Sequence, residues 1–303
     1  MQHRFSLSLA ATLLALSFGA QADMRRDTPP LSCASGTAGT LAGKKGSADD
    51  KLDVVALTAD SRLVCFNEHK PSKARLIGMV NGLQGDTRLV GIDFRVQDGL
   101  LYGVGDAGGV YTLSTVNAAA ALVNRLSVPL SGTTFGVDFN PAADRLRIVS
   151  DAGQNLRHNV NANGVTLADG TLNYTAGTPA QGIVAAAYTN NDLSPATPPT
   201  TGTTLFVLDA TQDQVVLQSP PNAGSLMATG KLTVDASSTT GFDIYSVLRD
   251  GITVSNRALA TMHAADGSVA LYSVDVLTGK AQPRGKLASD LSVVDIAVPL
   301  SQH

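Results

Sequence analysis

From Leu52 to the C-terminus, short apolar runs of strand length alternate with turn residues, and no amphipathic stretch of three helical turns interrupts them. The alanine-rich segment 117–124 is the best helical candidate, but it falls where a turn and a strand are expected. Asp98-Gly99, Asn163-Gly164, Asp169-Gly170, Asp250-Gly251 and Asp266-Gly267 are tight-turn dipeptides that mark hairpins when strands flank them.

One stretch recurs. Gly91-Ile92-Asp93-Phe94 returns as Gly136-Val137-Asp138-Phe139 and as Gly241-Phe242-Asp243-Ile244. Gly182-Ile183-Val184-Ala185 reads as a copy that lost the acid, and Val293-Val294-Asp295-Ile296 as one that lost the glycine. Copies roughly 45 to 60 residues apart indicate a repeat architecture. Each repeat divides into strands: 89–95, 100–105, 110–114 and 121–128 in the second unit; 134–140, 145–150, 154–159 and a broken 165–174 in the third. The fourth has 182–188, 203–208, 214–218 and 226–232. The fifth has 241–246, 258–264, 268–274 and 281–287, with an extra hairpin at 247–257. Four-stranded units of this length are propeller blades.

The first unit offers 53–58, 62–67 and 74–80 but no opening strand, while the chain ends on an unpartnered opening strand at 292–299. Joining the two closes a ring and removes an exposed edge. The pattern therefore predicts an all-β, five-bladed β-propeller over 51–303, its first blade completed by the C-terminal strand. A sandwich, two stacked barrels, or a six-bladed ring built with the 247–257 hairpin are the alternatives. The longest insertion, 190–202, is rich in Pro and Thr and reads as a loop on one propeller face.

Composition supports a β fold. The chain has 29 Gly, and its 25 acids comprise 24 Asp and a single Glu, Glu68; Asp suits turns, whereas Glu suits helix interiors. A hydrophobic fraction of 44% with only 16% charged residues points to a packed core. A net charge of -3 provides no basic footprint for nucleic acid.

The N-terminus reads as a signal peptide over 1–22. His3 and Arg4 precede an apolar run from Phe5 to Phe18, and Ala20-Gln21-Ala22 is a small-x-small cleavage site. The run is too short to span a bilayer comfortably and no later segment is long enough, so no membrane span is expected after cleavage. Residues 23–50 lack periodicity and read as a flexible leader. An exported chain, periplasmic or extracellular, meets oxidising conditions, which favours a Cys33–Cys65 disulfide worth about 3 kcal/mol through restriction of the unfolded chain.

Long motifs in the middle of the chain carry a family resemblance: Gly136-Val-Asp-Phe-Asn-Pro141, Asp144-Arg-Leu-Arg-Ile-Val-Ser150, Gly153-Gln-Asn-Leu-Arg157, Ala187-Tyr-Thr-Asn190 and Gln218-Ser-Pro-Pro-Asn-Ala-Gly224. These resemble the bacterial family known as domain of unknown function 4394, from about Leu52 to Ser301. The resemblance implies an exported, repeat-built β domain. It brings no catalytic residues.

Two sets of residues are candidates for chemistry. If the opening strands are innermost, Asp93, Asp138, Asp243 and Asp295 ring the central channel. Converging carboxylates need a cation, for which Ca²⁺ suits hard oxygen donors, or individual partners such as main-chain N–H groups or arginines between blades. The second set is Arg145, Arg147, Asn155 and Arg157, with Gln154, an anion- or sugar-binding face or else an Asp-paired strand face. The Asn159-x-Asn161-x-Asn163-Gly164 run lacks the acids of a Ca²⁺ loop and reads as a hairpin turn. No Gly-x-Ser-x-Gly elbow and no metal-like histidine pair is present; His158 and His263 sit in strands as hydrogen-bonded structure. The chain lacks Trp, so a stacking platform for sugars is poorly supplied. The favoured function is binding of a ligand or protein partner. A hydrolase using channel-mouth Asp residues, with or without a metal, and a structural envelope domain are the alternatives. Oligomeric state is not legible.

Overall fold

The strand that opens each repeat is mostly buried, whereas the strand that ends it is mostly half-buried or exposed. That gradient is the radial order of a propeller blade. A strand sandwiched between neighbouring blades has no wet face, and an outer strand has one. The computed structural model describes Cys33 and residues 51–193, 202–263 and 266–302. The proposed signal peptide and all of the leader except Cys33 lie outside the described residues, as does the insertion from 194 to 201.

Five four-stranded antiparallel sheets form the ring. Blade 1 contains β1 (Asp53–Thr58), β2 (Arg62–Asn67) and β3 (Arg75–Met79); blade 2 contains β4 (Leu89–Phe94), β5 (Leu101–Gly105), β6 (Gly109–Leu113) and β7 (Ala120–Arg125). Blade 3 contains β8 (Phe135–Asn140), β9 (Arg145–Ser150), β10 (Asn155–His158) and β11 (Thr166–Ala168); blade 4 contains β12 (Ile183–Tyr188), β13 (Leu205–Asp209), β14 (Gln214–Gln218) and β15 (Leu226–Lys231). Blade 5 contains β16 (Gly241–Arg249), β17 (Ile252–His263), β18 (Val269–Val274) and β19 (Ala281–Lys286), and β20 (Val293–Ala297) follows. β20 pairs with β1, so the C-terminal strand completes blade 1 as its innermost strand. The innermost strands β20, β4, β8, β12 and β16 touch one another in turn around the ring.

The core lies between blades. Val55, Leu57 and Leu63 of blade 1 pack against Leu89, Leu101 and Tyr111 of blade 2. Tyr102 and Val104 of blade 2 meet Phe139 and Leu146 of blade 3, the two rings edge-to-face at 5.1 Å. Three further clusters fill the 3/4, 4/5 and 5/1 seams. Each blade is thus stabilised by its neighbours, as repeat units that cannot bury both faces alone must be. Cys33 and Cys65 form a disulfide with Cα atoms 5.5 Å apart, tying the leader to β2.

Two details differ from the sequence reading. The 247–257 hairpin is not separate; β16 and β17 run on continuously to a two-residue turn at Asp250-Gly251, both with positive φ (53° and 77°), the primed turn that matches strand twist. The segment 117–124 holds a turn and the start of β7 rather than a helix.

The repeat register also changes for two blades. Pairing with the second strand sets Gly91 opposite Val104, Gly136 opposite Val149 and Ala185 opposite Leu208. A bulged valine precedes the motif at Val90, Val184 and Val294. The four-residue motif in blade 4 is therefore Ala185-Ala186-Ala187-Tyr188, and in blade 1 it is Asp295-Ile296-Ala297-Val298. Gly182, with φ 80°, belongs to the turn before β12. Val184 and Asp295 are thus not the counterparts of Asp93; Ala187 and Ala297 are.

Small residues hold the first motif position in blades 2 to 5 because the blades approach there. A Cβ on Gly136 would lie 2.5 Å from the Ala185 carbonyl carbon, and one on Gly241 would lie 2.7 Å from the Ile296 nitrogen. Gly136→Ala is expected to cost about 1–3 kcal/mol by overpacking a rigid main-chain contact. Urea denaturation checks it, with Gly202→Ala, in open space and without a positive φ, as the comparison for backbone effects alone.

Candidate functional site

The third motif position carries Asp93, Asp138 and Asp243 in blades 2, 3 and 5, and alanine in blades 4 and 1. Side chains alternate along a strand, so these three share a direction. One carboxylate oxygen from each lies within 4.8 Å of the others. Blades 3 and 5 are not neighbours, so their acids can meet only at the ring axis. Ala187 and Ala297 complete that layer and leave the acids room. Asp295, at the first position, stands two residues along, roughly 7 Å nearer one end of the axis. The expected ring of four is therefore a cluster of three and one acid in the next layer.

Each carboxylate is held by main-chain N–H groups, chiefly of the next blade. The Phe139 N–H donates to Asp93 Oδ2 at 2.7 Å, Tyr188 to Asp138 Oδ1 at 3.0 Å, and Val298 to Asp243 Oδ2 at 2.5 Å. Ile92 donates to Asp295 Oδ2 at 2.8 Å. The other oxygens of Asp93, Asp243 and Asp295 accept the N–H of Phe94, Ile244 and Ile296 on their own strands. Every donor sits at the second or fourth motif position, where the strand's N–H groups share one direction. No arginine pairs with these acids among the described residues: Arg95 goes to Asp98 and Asp144, and Arg147 to Asp169.

Burial pushes all four carboxyls up, against the pull of the N–H donors. Asp243 rises to about 7. Asp93 also rises, with the Asp243 charge adding to burial, and so does Asp138, with the charges of both Asp93 and Asp243. The three could hold a proton in common or a cation; the hard donor set fits Ca²⁺, which would need further oxygen ligands. Exposures of 6%, 2% and 3% keep the three away from any bulky substrate.

The arginine set is not an open face. Arg147 reaches Asn155 Oδ1, Asp169 Oδ2 and Asn222 Oδ1, each at 2.7 Å, and Tyr188 Oη at 3.3 Å. Asn155 Nδ2 donates to Gly170 O and Pro221 O. Arg157 pairs with Asp169 at 2.9 Å, and Arg145 turns back to Asp144 O at 2.7 Å. The network spans the blade 3/4 seam, and Arg147 and Asn155 spend their donors inside the protein, while Arg157 is partly exposed. Sequence reasoning missed Asp169 and Asn222, although Asn222 stands inside the Gln218–Gly224 motif. His158 is buried between Thr166 Oγ1 and Asn124 Oδ1, at 3.0 and 2.8 Å, and burial brings it down to about 4. It is a neutral bridge from β10 to β7.

A separate elaboration occupies one end of the ring. β16 and β17, of 9 and 12 residues, outgrow the strands of the other blades. The segment following β12 straps onto them: Asn190 and Asn256 exchange hydrogen bonds of 3.1 and 2.8 Å, and the Thr253 N–H donates to Asp192 Oδ2 at 2.8 Å. Leu193, Ile252 and Val254 are exposed there at 52%, 43% and 51%.

The chain belongs to the family described as domain of unknown function (DUF4394), whose model matches residues 62–297. No curated protein matches it. Solved structures with some likeness include a protein of unknown function from Bacteroides thetaiotaomicron, 14% identical over 84% of this chain and 68% of that one, TM-score 0.44. A hydrazine synthase from Kuenenia stuttgartiensis is 9% identical over 68% of this chain and 52% of that one, TM-score 0.39. An auxiliary nutrient binding protein from Bacteroides ovatus is 12% identical over 58% of this chain and 46% of that one, TM-score 0.38. The chain thus spans about half the length of the latter two, and at these levels nothing about activity passes from them to this chain.

The raised axial carboxyls dictate a pH dependence. For Asp243 the native state holds, between about 4 and about 7, a proton that the unfolded chain releases, so its contribution is full below about 4 and is lost as pH rises through about 7; the other three, raised by burial in the same way, act in the same sense. His158, lowered to about 4, acts oppositely up to its unfolded value, but it is one group against four. Melting temperature is expected to fall from pH 5 to pH 8, and Asp243→Asn to flatten that fall. Thermal melts at both pH values check it.

Proposed function

We propose that the chain is an exported propeller that binds a ligand or protein partner through the loops at one end of the ring, without catalysing a reaction. The observation that carries this reading is the overgrown β16–β17 hairpin strapped to residues 190–193, with Leu193, Ile252 and Val254 exposed upon it. Binding residues collect on loops held by a rigid scaffold, and grouped exposed apolar side chains mark contact surfaces. Export is supported by the basic, apolar and small-residue order of 1–22 and by the Cys33–Cys65 disulfide. No helix among the described residues is long and apolar enough to cross a membrane.

The hydrolase alternative needs acids that reach substrate, whereas Asp93, Asp138 and Asp243 are buried and tied to main chain. The axial trio does favour a second, structural reading, a cation such as Ca²⁺ bound to stabilise the ring.

A thermal-shift panel of small metabolites, oligosaccharides, peptides and Ca²⁺, run beside a broad hydrolase screen, tests these readings. The expected result is a ligand that raises the melting temperature without being turned over. At a hundredfold excess over its Kd such a ligand stabilises by about 2.7 kcal/mol. The expected shift is reduced in a variant carrying Ile252→Ser and Val254→Ser. Turnover abolished by Asp138→Asn in a protein that still folds overturns the binding reading in favour of the hydrolase. Stabilisation by Ca²⁺ at pH 8 that vanishes with chelator supports the cation; no shift removes it.

A further inference from the structure

Beside the projecting hairpin, blade 5 carries a cavity of about 210 Å³. Its polar lining is mostly hydrogen-bond donors and cations, Arg257, Lys280, Arg284, Gln282 and Ser273 among them, with one acid, Asp275. Leu259, Ser273 and Gln282 stand opposite one another across β17, β18 and β19, so they share one sheet face. Leu259 packs with Val54 and Phe66 of blade 1, so this face is the one turned toward the blade 5/1 seam, where the C-terminal strand closes the ring. The turn Pro71–Lys73 of blade 1 rests against β19 beside it.

Two of the three cations, Lys280 and Arg284, are not spent as those of the Arg147 network are. Arg257 is fixed by Glu68 of blade 1, with Nη2 at 2.5 Å from Oε1, which pre-orients its guanidinium at the seam. The side chains of Lys280 and Arg284 have no hydrogen-bond or ion-pair partner among the described residues, and both are exposed. Asp275, the one acid in the lining, uses Oδ1 to accept the N–H of Leu277 and Thr278 in its own turn, at 2.9 and 3.2 Å. With Arg257 paired to Glu68, two cations against one acid leave this wall positive, on a chain whose net charge is -3.

We infer that this cavity is a binding site for a small hydroxylated oxyanion, a carboxylate or phosphate ester of sugar size. The Arg284 guanidinium fork and the Lys280 charge meet the oxyanion. The Gln282 amide and the Ser273 hydroxyl meet the hydroxyl groups, and Leu259 forms an apolar floor. The inference rests on the proposed ligand-binding function and names one ligand class and one place for it.

Titration calorimetry with D-glucuronate, glucose 6-phosphate and glucose, at low and high salt, tests the site on the wild-type chain and on a Lys280→Ala/Arg284→Ala variant. Both substitutions are on exposed side chains, so the variant is expected to fold. At least one of the two anions should bind, more weakly at high salt, with a Kd raised at least tenfold in the variant, and glucose should bind far more weakly. The glucuronate and glucose 6-phosphate arms separate carboxylate from phosphate recognition. No binding of either anion, an unchanged Kd in the variant, or equal binding of glucose overturns the site. If the anions fail while another ligand binds and is lost on Ile252→Ser/Val254→Ser, this site falls and the binding function stands. If no ligand of any class binds, both fall.

Discussion

An inner propeller strand has one edge paired to its own blade and one edge facing the axis, and that free edge holds the structure's central constraint. N–H groups directed at a dry axis must find acceptors or cost the ring their desolvation. Here aspartate carboxylates answer them. Asp93, Asp138 and Asp243 each reach across to the fourth-position N–H of the next blade, and Asp295 makes the same step one layer along. The acids join blades whose remaining contacts are mostly apolar and non-directional, so they set the register in which the apolar seams pack. Glycine or alanine at the first position of blades 2 to 5 is the companion requirement, since the strands approach too closely there for anything larger. At Gly91 the space a Cβ would take lies 3.0 Å from the Asp295 carboxylate.

The same arrangement accounts for the electrostatics. Three carboxylates gathered without an arginine hold protons well above the ordinary range, because burial and mutual repulsion outweigh the N–H donors. Carboxylates committed in this way serve the ring before they serve any substrate. Lys280 and Arg284 on blade 5 carry charge that no such partner takes up. On the proposed reading, function and architecture draw on different residues: acids at the axis, cations and a long hairpin at the rim.

Much of the fold was legible because strand periodicity and turn dipeptides are local signals. The limits of β1, β2, β9 and β14 follow directly from them, and the unpartnered opening strand at the C-terminus showed how the ring closes. Register was legible only where the motif was intact. In blade 4 the glycine of the turn, Gly182, mimicked the motif glycine, and a bulge at Val184 shifted the count. In blade 1, Asp295 mimicked the motif acid while occupying the glycine position. A bulge leaves no mark in composition, so only pairing with β13 and β1 reveals it. The arginine cluster was visible as a cluster, but not its partners: Asp169 reaches Arg147 across blade 3's own sheet, and Asn222 only across the blade 3/4 seam. The cavity on blade 5 had no sequence signal, because its residues come from three strands and form no motif.

Hydrogen exchange resolved to single amides tests the carboxylate staples most directly. If they hold the ring, the amides of Phe139, Tyr188 and Val298 exchange only through global unfolding, as slowly as the best-protected ladder amides of β9 and β13. Exchange of these three amides by local opening, orders of magnitude faster than their ladder neighbours, would contradict the staples and return ring closure to apolar packing alone.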